Sequence, residues 1–464
     1  MGLDICGIDI IAQDINAPIT EHTGAVLGVN AGPGFRMHLS PTKGIARNVA
    51  EPVVDMLFPE GKPSRIPIVA VTGTNGKTTT TRLIAHLAKG AGHKVGYTTT
   101  DGIYIQDHVI HRGDCSGPAS AEVVLRDPIV DFAVLECARG GILRAGLGFD
   151  KCNISIITNI TEDHLGLNDI HTIEGLAKVK AVVANSTFDD GYAILNADDD
   201  LVYKIGFGLD CNIALFSIDE KNERVLTHCK NGGLAAIIEK GYFTICKGEW
   251  RTRIAKVKDI PLTLEGRAEC MIKNVMPGIL TAIIQDFDIS VIRQSLQSFI
   301  PGPAQTPGRM NIFKFSNFDL MIDYAHNTDG FNQLSIFLKL TEASAKIGVI
   351  ACAGDRRDED IMNMGSLAAQ MFDEIIIRHD GDGRGRSNDE ITHFITAGIK
   401  RTNSNINITV ISDEIDAIQY AMDIVKNNGF IVVCSDDIQK CIGFVNHKAE
   451  EMNNQVSGME TSVF

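Results

Sequence analysis

The chain has no C-x-x-C pair, and its eleven cysteines are scattered singly. That spacing excludes a structural zinc site and a dithiol redox motif, and the thiols read as buried and reduced. No apolar run approaches the roughly 20 residues that span a bilayer. The first residues have no basic lead, and Asp4 and Asp9 interrupt their apolar stretch, so a signal peptide is not expected and the expected compartment is the cytoplasm. Positive charge is also scarce: 43 Lys and Arg stand against 58 Asp and Glu, a net charge of −15. Nucleic-acid binding rests on neutralising phosphates, so an acidic chain is a poor fit for that class. No repeat of 20–50 residues is visible, which excludes a solenoid.

What is present is an ordinary globular composition, 44% hydrophobic and 22% charged over 464 residues. That length suggests about three domains. Residues 1–61 carry two strand-like segments, a Gly-Pro-Gly loop and a short helical stretch, too little apolar mass for a strong core. The run Pro59-Glu60-Gly61-Lys62-Pro63 reads as a linker. Residues 62–299 alternate strand-like runs (66–71, 132–136, 154–159, 192–196) with helical ones (80–87, 173–184), which predicts a doubly wound, mostly parallel sheet. Between 211 and 265 the strands crowd together, as in a small β insertion. Residues 300–464 repeat the α/β alternation, with an Asn-, Glu- and Ser-rich tail after about 447 expected to fray.

The strongest local signal is Thr72-Gly73-Thr74-Asn75-Gly76-Lys77-Thr78-Thr79, between an apolar strand and a helix. Glycines let backbone N–H groups turn toward phosphate oxygens, and the following helix points its positive end at the same charge. Lys77 can reach the terminal phosphates, and the Thr78 hydroxyl can coordinate Mg²⁺. The strict pattern wants glycine where Val71 stands, so this is a shortened phosphate loop (P-loop). The competing reading is a tight strand–helix turn with a solvated lysine. Glu136 ends a buried-looking strand and precedes Ala138-Arg139-Gly140-Gly141, a good place for a Mg²⁺-binding carboxylate rather than an exposed turn residue. His164 follows another strand end in Thr158-Asn159-Ile160-Thr161-Glu162-Asp163-His164 and reads as a metal ligand or a wall of the site; a structural histidine is the alternative.

Four segments together resemble the Mur ligase family of ATP-dependent amino-acid ligases: 72–79, 136–144 (E-C-A-R-G-G-I-L-R), 159–166 (N-I-T-E-D-H-L-G) and 323–327 (D-Y-A-H-N). Within that family, residues 98–104, 113–118, 139–147 and 354–358 resemble its cyanophycin synthetase branch, and residues 2–9 and 29–57 are similar to the end of that branch's ATP-grasp domain. The implied fold is α/β: a Mur ligase-like P-loop central domain and a C-terminal Rossmann-like domain, preceded by a truncated ATP-grasp remnant.

The implied activity is an ADP-forming amide ligase of cyanophycin biosynthesis. A carboxylate takes the γ-phosphate of ATP to give an acyl phosphate, and L-arginine then attacks, amidating the aspartate β-carboxyl of the polymer. ATP and Mg²⁺ are the implied cofactors. By this resemblance Gly73, Thr74, Asn75, Gly76, Lys77, Thr78 and Thr79 form the phosphate loop. Thr78, Glu136 and His164 hold metal, and Lys180 matches a lysine that several relatives carbamylate to hold a second metal. Asn274, Arg309 and Asp323 contact the nucleotide, with His326 nearby. The incoming guanidinium calls for carboxylates, for which Asp355, Asp358, Glu359, Asp380 and Asp382 are candidates. The partners implied are the aspartate/arginine polymer primer and arginine, with a homo-oligomer or a chain carrying the rest of the ATP-grasp domain.

The pattern also breaks. Gly28 stands where the family places a Mg²⁺-binding glutamate, beside Asp9 and Asn30, and glycine offers no side-chain oxygen. Aspartate addition is therefore not expected. Lys273 replaces an acidic residue before Asn274, and Thr328 replaces the proline after D-Y-A-H-N. Another Mur-type ligase, or an inactive nucleotide-binding subunit, would share most of these features.

Overall fold

A computed structural model describes residues 3–61, 64–162, 170–381 and 383–460. The chain divides into two compact units, Met1–Ile66 and Pro67–Phe464.

The first unit holds an antiparallel pair, Gly7–Ala12 with Gly24–Asn30, and the helices Arg36–Leu39 and Ala50–Leu57. The strands alternate too weakly to give one apolar face. Ile8, Val26 and Leu27 are 53%, 60% and 70% exposed. Among its described residues none is buried. An isolated hairpin is marginal in water, and a domain of about 60 residues normally buries roughly 60% of its extended-chain surface. This unit has the secondary structure of a domain without a core.

The second unit contains two sheets. In the larger, the strand Ile68–Thr72 is central, with Cys152–Ile157 on one side and Phe132–Glu136 on the other, all parallel. Every side chain of Ile68–Thr72 and Phe132–Glu136 is buried, as expected for parallel strands covered on both faces. Beyond Cys152–Ile157 the parallel order continues through Thr187–Asn196, Asn212–Ser217 and Leu234–Glu239; beyond Phe132–Glu136 it continues to Val95–Thr99. Two antiparallel strands close each edge. In the smaller sheet five parallel strands, Phe318–Asp323, Gly429–Cys434, Lys346–Ile350, Glu374–Ile377 and Asn407–Val410, follow the antiparallel edge strand Asn311–Lys314. No helix of the described residues is long and apolar enough to cross a membrane.

Several expectations need correction. Residues 211–265 are not an insertion: Asn212–Ser217 and Leu234–Glu239 are integral strands of the main sheet, and only 242–256 extend it as a hairpin. The phosphate-loop helix runs Lys77–Gly90, beginning at the lysine itself. The tail is part of the helix Ile438–Glu460. The cysteines are all free, but Cys6 is exposed and Cys211 and Cys270 are half-buried. A helix not anticipated, Glu269–Ile284, packs on the phosphate-loop helix, where a side-chain carbon on Gly278 would lie 3.1 Å from Leu83. Pro277 and Gly278 in its middle hide its period in the sequence; the Thr281 hydroxyl bonds the Pro277 carbonyl at 2.8 Å.

Candidate active site

The loop after Ile68–Thr72 is shaped by its neighbour across the sheet. Thr74 N–H donates to the Asn159 carbonyl and Asn75 N–H to Asn159 Oδ1, both at 2.9 Å. The Thr158 hydroxyl donates to the Asn75 carbonyl at 2.6 Å, and Asn159 Nδ2 to the same oxygen at 3.1 Å. These contacts hold the loop open and leave the first N–H groups of the helix, which have no partner inside it, for an anion. Gly73 and Gly76 have φ of 149° and 85°. A side-chain carbon on Gly73 would collide with Thr158 Oγ1, and one on Gly76 with Asn274 Oδ1. We predict that Gly76→Ala weakens Mg–ATP binding at least about tenfold by calorimetry with an unchanged far-UV spectrum, since the left-handed backbone alone costs roughly 1–2 kcal/mol in any other residue; unchanged affinity would show that the loop is not the phosphate site.

Among the described residues, five lysines and arginines line one cleft with the loop: Lys77, Arg139, Arg144, Lys180 and Arg309. Lys77 Nζ donates to the Thr74 carbonyl at 2.9 Å. Lys180, on the helix Ile173–Asn185, is buried and donates to the Gly73 carbonyl at 2.6 Å. Arg309 lies over the Tyr324 ring, 4.6 Å from its centre.

Glu136 is 2% exposed at the end of its strand. It accepts from the Thr78 hydroxyl at 2.9 Å, the Thr100 hydroxyl at 2.9 Å and the Thr100 N–H at 3.2 Å. Thr100 was not among the residues singled out for chemistry. Its signal was its place just beyond the strand Val95–Thr99, but only the sheet order puts that end beside Glu136.

The C-terminal sheet supplies the remaining groups. Asp323 ends the strand Phe318–Asp323 and accepts from Met310 N–H and Ala325 N–H, each at 2.8 Å. Burial raises its carboxyl above the ordinary range, and these N–H groups with Arg309 pull it only part of the way back. His326 Nδ1 sits 2.8 Å from the Tyr324 carbonyl. Asn327 caps the helix Thr328–Lys339 through Gly330 N–H at 2.8 Å and exchanges amide bonds with Asn75 at 3.2 and 3.3 Å; Asn75 also donates to Asp329 at 2.7 Å. Thr328 thus opens that helix. Lys273 is paired with Glu269 at 2.7 Å.

One cleft of about 710 Å³ collects Gly73 through Thr79, Glu136, Lys180, Asn274, Arg309, Asp323 and His326. Of the candidate acids, Asp355 lines this cleft, paired with Arg384 at 3.4 Å. Asp380 lines a smaller cavity with Arg378 and Arg384. Asp358 and Glu359 are exposed in the first turn of the helix Asp358–Met371, and Asp358 is taken by Arg386 at 2.6 Å. His164 and Asp382 lie outside the described residues.

Comparison with known proteins agrees with this fold. The Mur ligase middle domain matches residues 71–245, and the Mur ligase glutamate ligase domain matches residues 308–436. Over 445 residues the chain is 49% identical to cyanophycin synthetase of Geminocystis herdmanii, covering 96% of this chain and 51% of that protein. It is 46% identical over 463 residues to cyanophycin synthetase of a Nostoc species, covering 98% and 51%. The chain therefore spans about half the length of these curated relatives. Among solved structures, a bifunctional folylpolyglutamate synthase/dihydrofolate synthase from Yersinia pestis, complexed with AMPPNP and a Mn ion, superimposes with a TM-score of 0.59 at 19% identity over 86% of this chain and 91% of that one, which shows a shared fold. With both domain types present in order and the phosphate loop between the expected strand and helix, the chain belongs to the Mur ligase family and matches its cyanophycin synthetase branch over nearly its whole length.

Proposed function

We propose that this chain is an ATP-dependent amide ligase that adds L-arginine to aspartate β-carboxyls of a polymer through an acyl phosphate. The observation that carries the reading is the Thr78–Glu136 oxygen pair at the start of the phosphate-loop helix, in one cleft with Asn274, Arg309 and Asp323. A hydroxyl and a buried carboxylate are hard oxygen donors, the set Mg²⁺ takes alongside phosphate and water. Bound there, Mg²⁺ would neutralise charge on the transferring phosphate.

The chain's own groups do the rest. Helix N–H groups and Lys77 receive the β- and γ-phosphates, and Arg309 offsets the charge that spreads as the phosphoryl group moves. Thr100 fixes the rotamer of Glu136. Lys180 ties the loop to its supporting helix, and the family precedent for a carbamylated lysine is assigned to it. His164 is assigned the remaining metal-ligand role. Asp323 accepts the ribose hydroxyls, and Asn274 flanks the nucleotide. Amide formation from a carboxylate is uphill in water, so phosphoryl activation supplies the drive, and holding both reactants in one cleft supplies orientation. Asp355 and Asp380 are the acids assigned to the guanidinium.

Residues 1–61 are read as the final segment of an ATP-grasp domain, 62–299 as the central domain and 300–464 as the C-terminal domain. The coreless first unit then presents Ile8, Val26 and Leu27 to the rest of such a domain, whether joined or supplied by a partner chain. Gly28, opposite Asp9 in the hairpin register, leaves no ligand oxygen there, so aspartate addition is assigned elsewhere.

The test is phosphate release from Mg–ATP with a polyaspartate acceptor, with and without arginine. Release that needs both supports the assignment. Release indifferent to arginine removes it, and stimulation by a cell-wall precursor instead points to another Mur-type ligase.

A further inference from the structure

The cleft is lined by more positive charge than a nucleotide uses. Among its described lining residues, Lys77 and Lys180 are bonded to loop carbonyls, and Arg309 donates to the Gly308 carbonyl while stacked on Tyr324. Arg144 differs. It lies in the last turn of the helix Arg139–Ala145, is exposed, and no described carboxylate pairs with it. A side-chain carbon on Gly140 would lie 3.3 Å from Arg144 Nη1, so the guanidinium rests over that glycine. A side-chain carbon on Gly141 would lie 2.9 Å from Gly117 Cα, so the helix is seated against the loop at Ser116 and Gly117 on the same wall. Two adjacent glycines thus do separate jobs: one docks the helix, the other gives the guanidinium room.

The position relative to Glu136 decides what Arg144 can meet. Resting on the function proposed above, the ribose lies at Asp323 and the terminal phosphate at Thr78 and Glu136. The acceptor then enters beside the segment that follows Glu136, which is the segment carrying Arg144. An acceptor carboxylate approaching a triphosphate meets repulsion, and an acceptor with further carboxylates along its backbone meets more. A planar, permanently charged guanidinium suits a carboxylate bidentately.

We infer that Arg144 is the positioning residue for a polyanionic acceptor, gripping a carboxylate next to the one that is phosphorylated. It touches neither nucleotide nor reacting atoms, so its effect falls on acceptor KM. The experiment compares wild type, R144A and R144K for phosphate release with polyaspartate and with a blocked single aspartate that has no neighbouring carboxylate. Polyaspartate binding is followed separately by fluorescence anisotropy. For R144A the polyaspartate KM and Kd rise about tenfold or more, R144K recovers part of the loss, and the ATP KM and the single-aspartate KM stay put. A merely structural arginine would move all of these together. An unchanged polyaspartate KM in R144A, with wild type active, overturns this inference and leaves the ligase reading intact. Wild type that neither binds polyaspartate nor is stimulated by it overturns the ligase reading and this inference with it.

Discussion

Lys77→Ala lowers acceptor-dependent phosphate release by on the order of 10³-fold, the scale of losing one fixed charge-stabilising contact or more in a water-poor site. The reason lies in the loop. Lys77 is the first residue of its helix, half-buried, with its ammonium drawn back to the Thr74 carbonyl at 2.9 Å, beside the first N–H groups of the helix, to which the proposed function assigns the phosphates. No other basic side chain belongs to the loop from Thr72 to Thr79. Because Lys77 makes one hydrogen bond to a carbonyl and no ion pair among the described residues, its removal leaves folding stability within about 1 kcal/mol, the net worth of such a bond. Turnover measured beside a urea melt separates the two quantities. Retained turnover would place the chemistry elsewhere, and a large shift in melting would mean the loss of activity reports unfolding.

Asp101→Asn has the largest expected effect on stability. Arg82, one turn along the phosphate-loop helix, is 6% exposed and forms an ion pair with Asp101, which is 28% exposed. The Tyr104 hydroxyl bonds Asp101 at 2.7 Å, the Thr99 hydroxyl bonds it at 2.7 Å, and the guanidinium lies 4.6 Å from the centre of the Tyr104 ring. Removing the carboxylate leaves a buried cation without its counter-charge, which costs about 3 kcal/mol, the lower end for such pairs because Asp101 keeps some contact with water. Burial alone would raise the Asp101 carboxyl, but the Arg82 guanidinium and the two hydroxyls more than offset it and hold it below the ordinary range. Its contribution is therefore complete above the ordinary carboxylate value of about 4 and is lost as pH falls through the lower folded value. Wild type and D101N should differ most in urea midpoint at neutral pH and converge on strong acidification; a pH-independent difference would mean the pair is not what the substitution breaks. The same change should loosen the neighbouring Thr100, whose two bonds orient Glu136.

The parts of this site that a sequence shows are those encoded within a few residues. Thr72 to Thr79 and the carboxylate of Glu136 were legible because strand, turn and helix follow directly along the chain. The support of Glu136 by Thr100 was not, because 36 residues separate them and only the strand order brings them together. The helix Glu269–Ile284 was hidden by Pro277 and Gly278, although it carries Asn274 into the cleft. Residues 211–265 misled for a related reason: short, closely spaced strands look alike whether they extend a parallel sheet or decorate it, and pairing decides. Of the five acids named for the guanidinium, composition could nominate all; of the four that are described, Asp355 and Asp380 line cavities, while Asp358 and Glu359 are exposed. The domain boundaries at 61 and 299 rest on linkers and resemblance.

The amide exchange between Asn75 and Asn327 spans 252 positions of chain, and the bond from Asn75 to Asp329 spans 254. Contacts so remote in sequence are made late, since the entropy of closing the intervening loop must be overcome first. A ribosome would have threaded out nearly all of the main sheet, with its phosphate loop already turned by Asn159, long before the residues that clasp the loop's tip emerged. The nascent protein would thus carry this loop unclasped during much of its synthesis, and its final tightening would be among the last events of maturation.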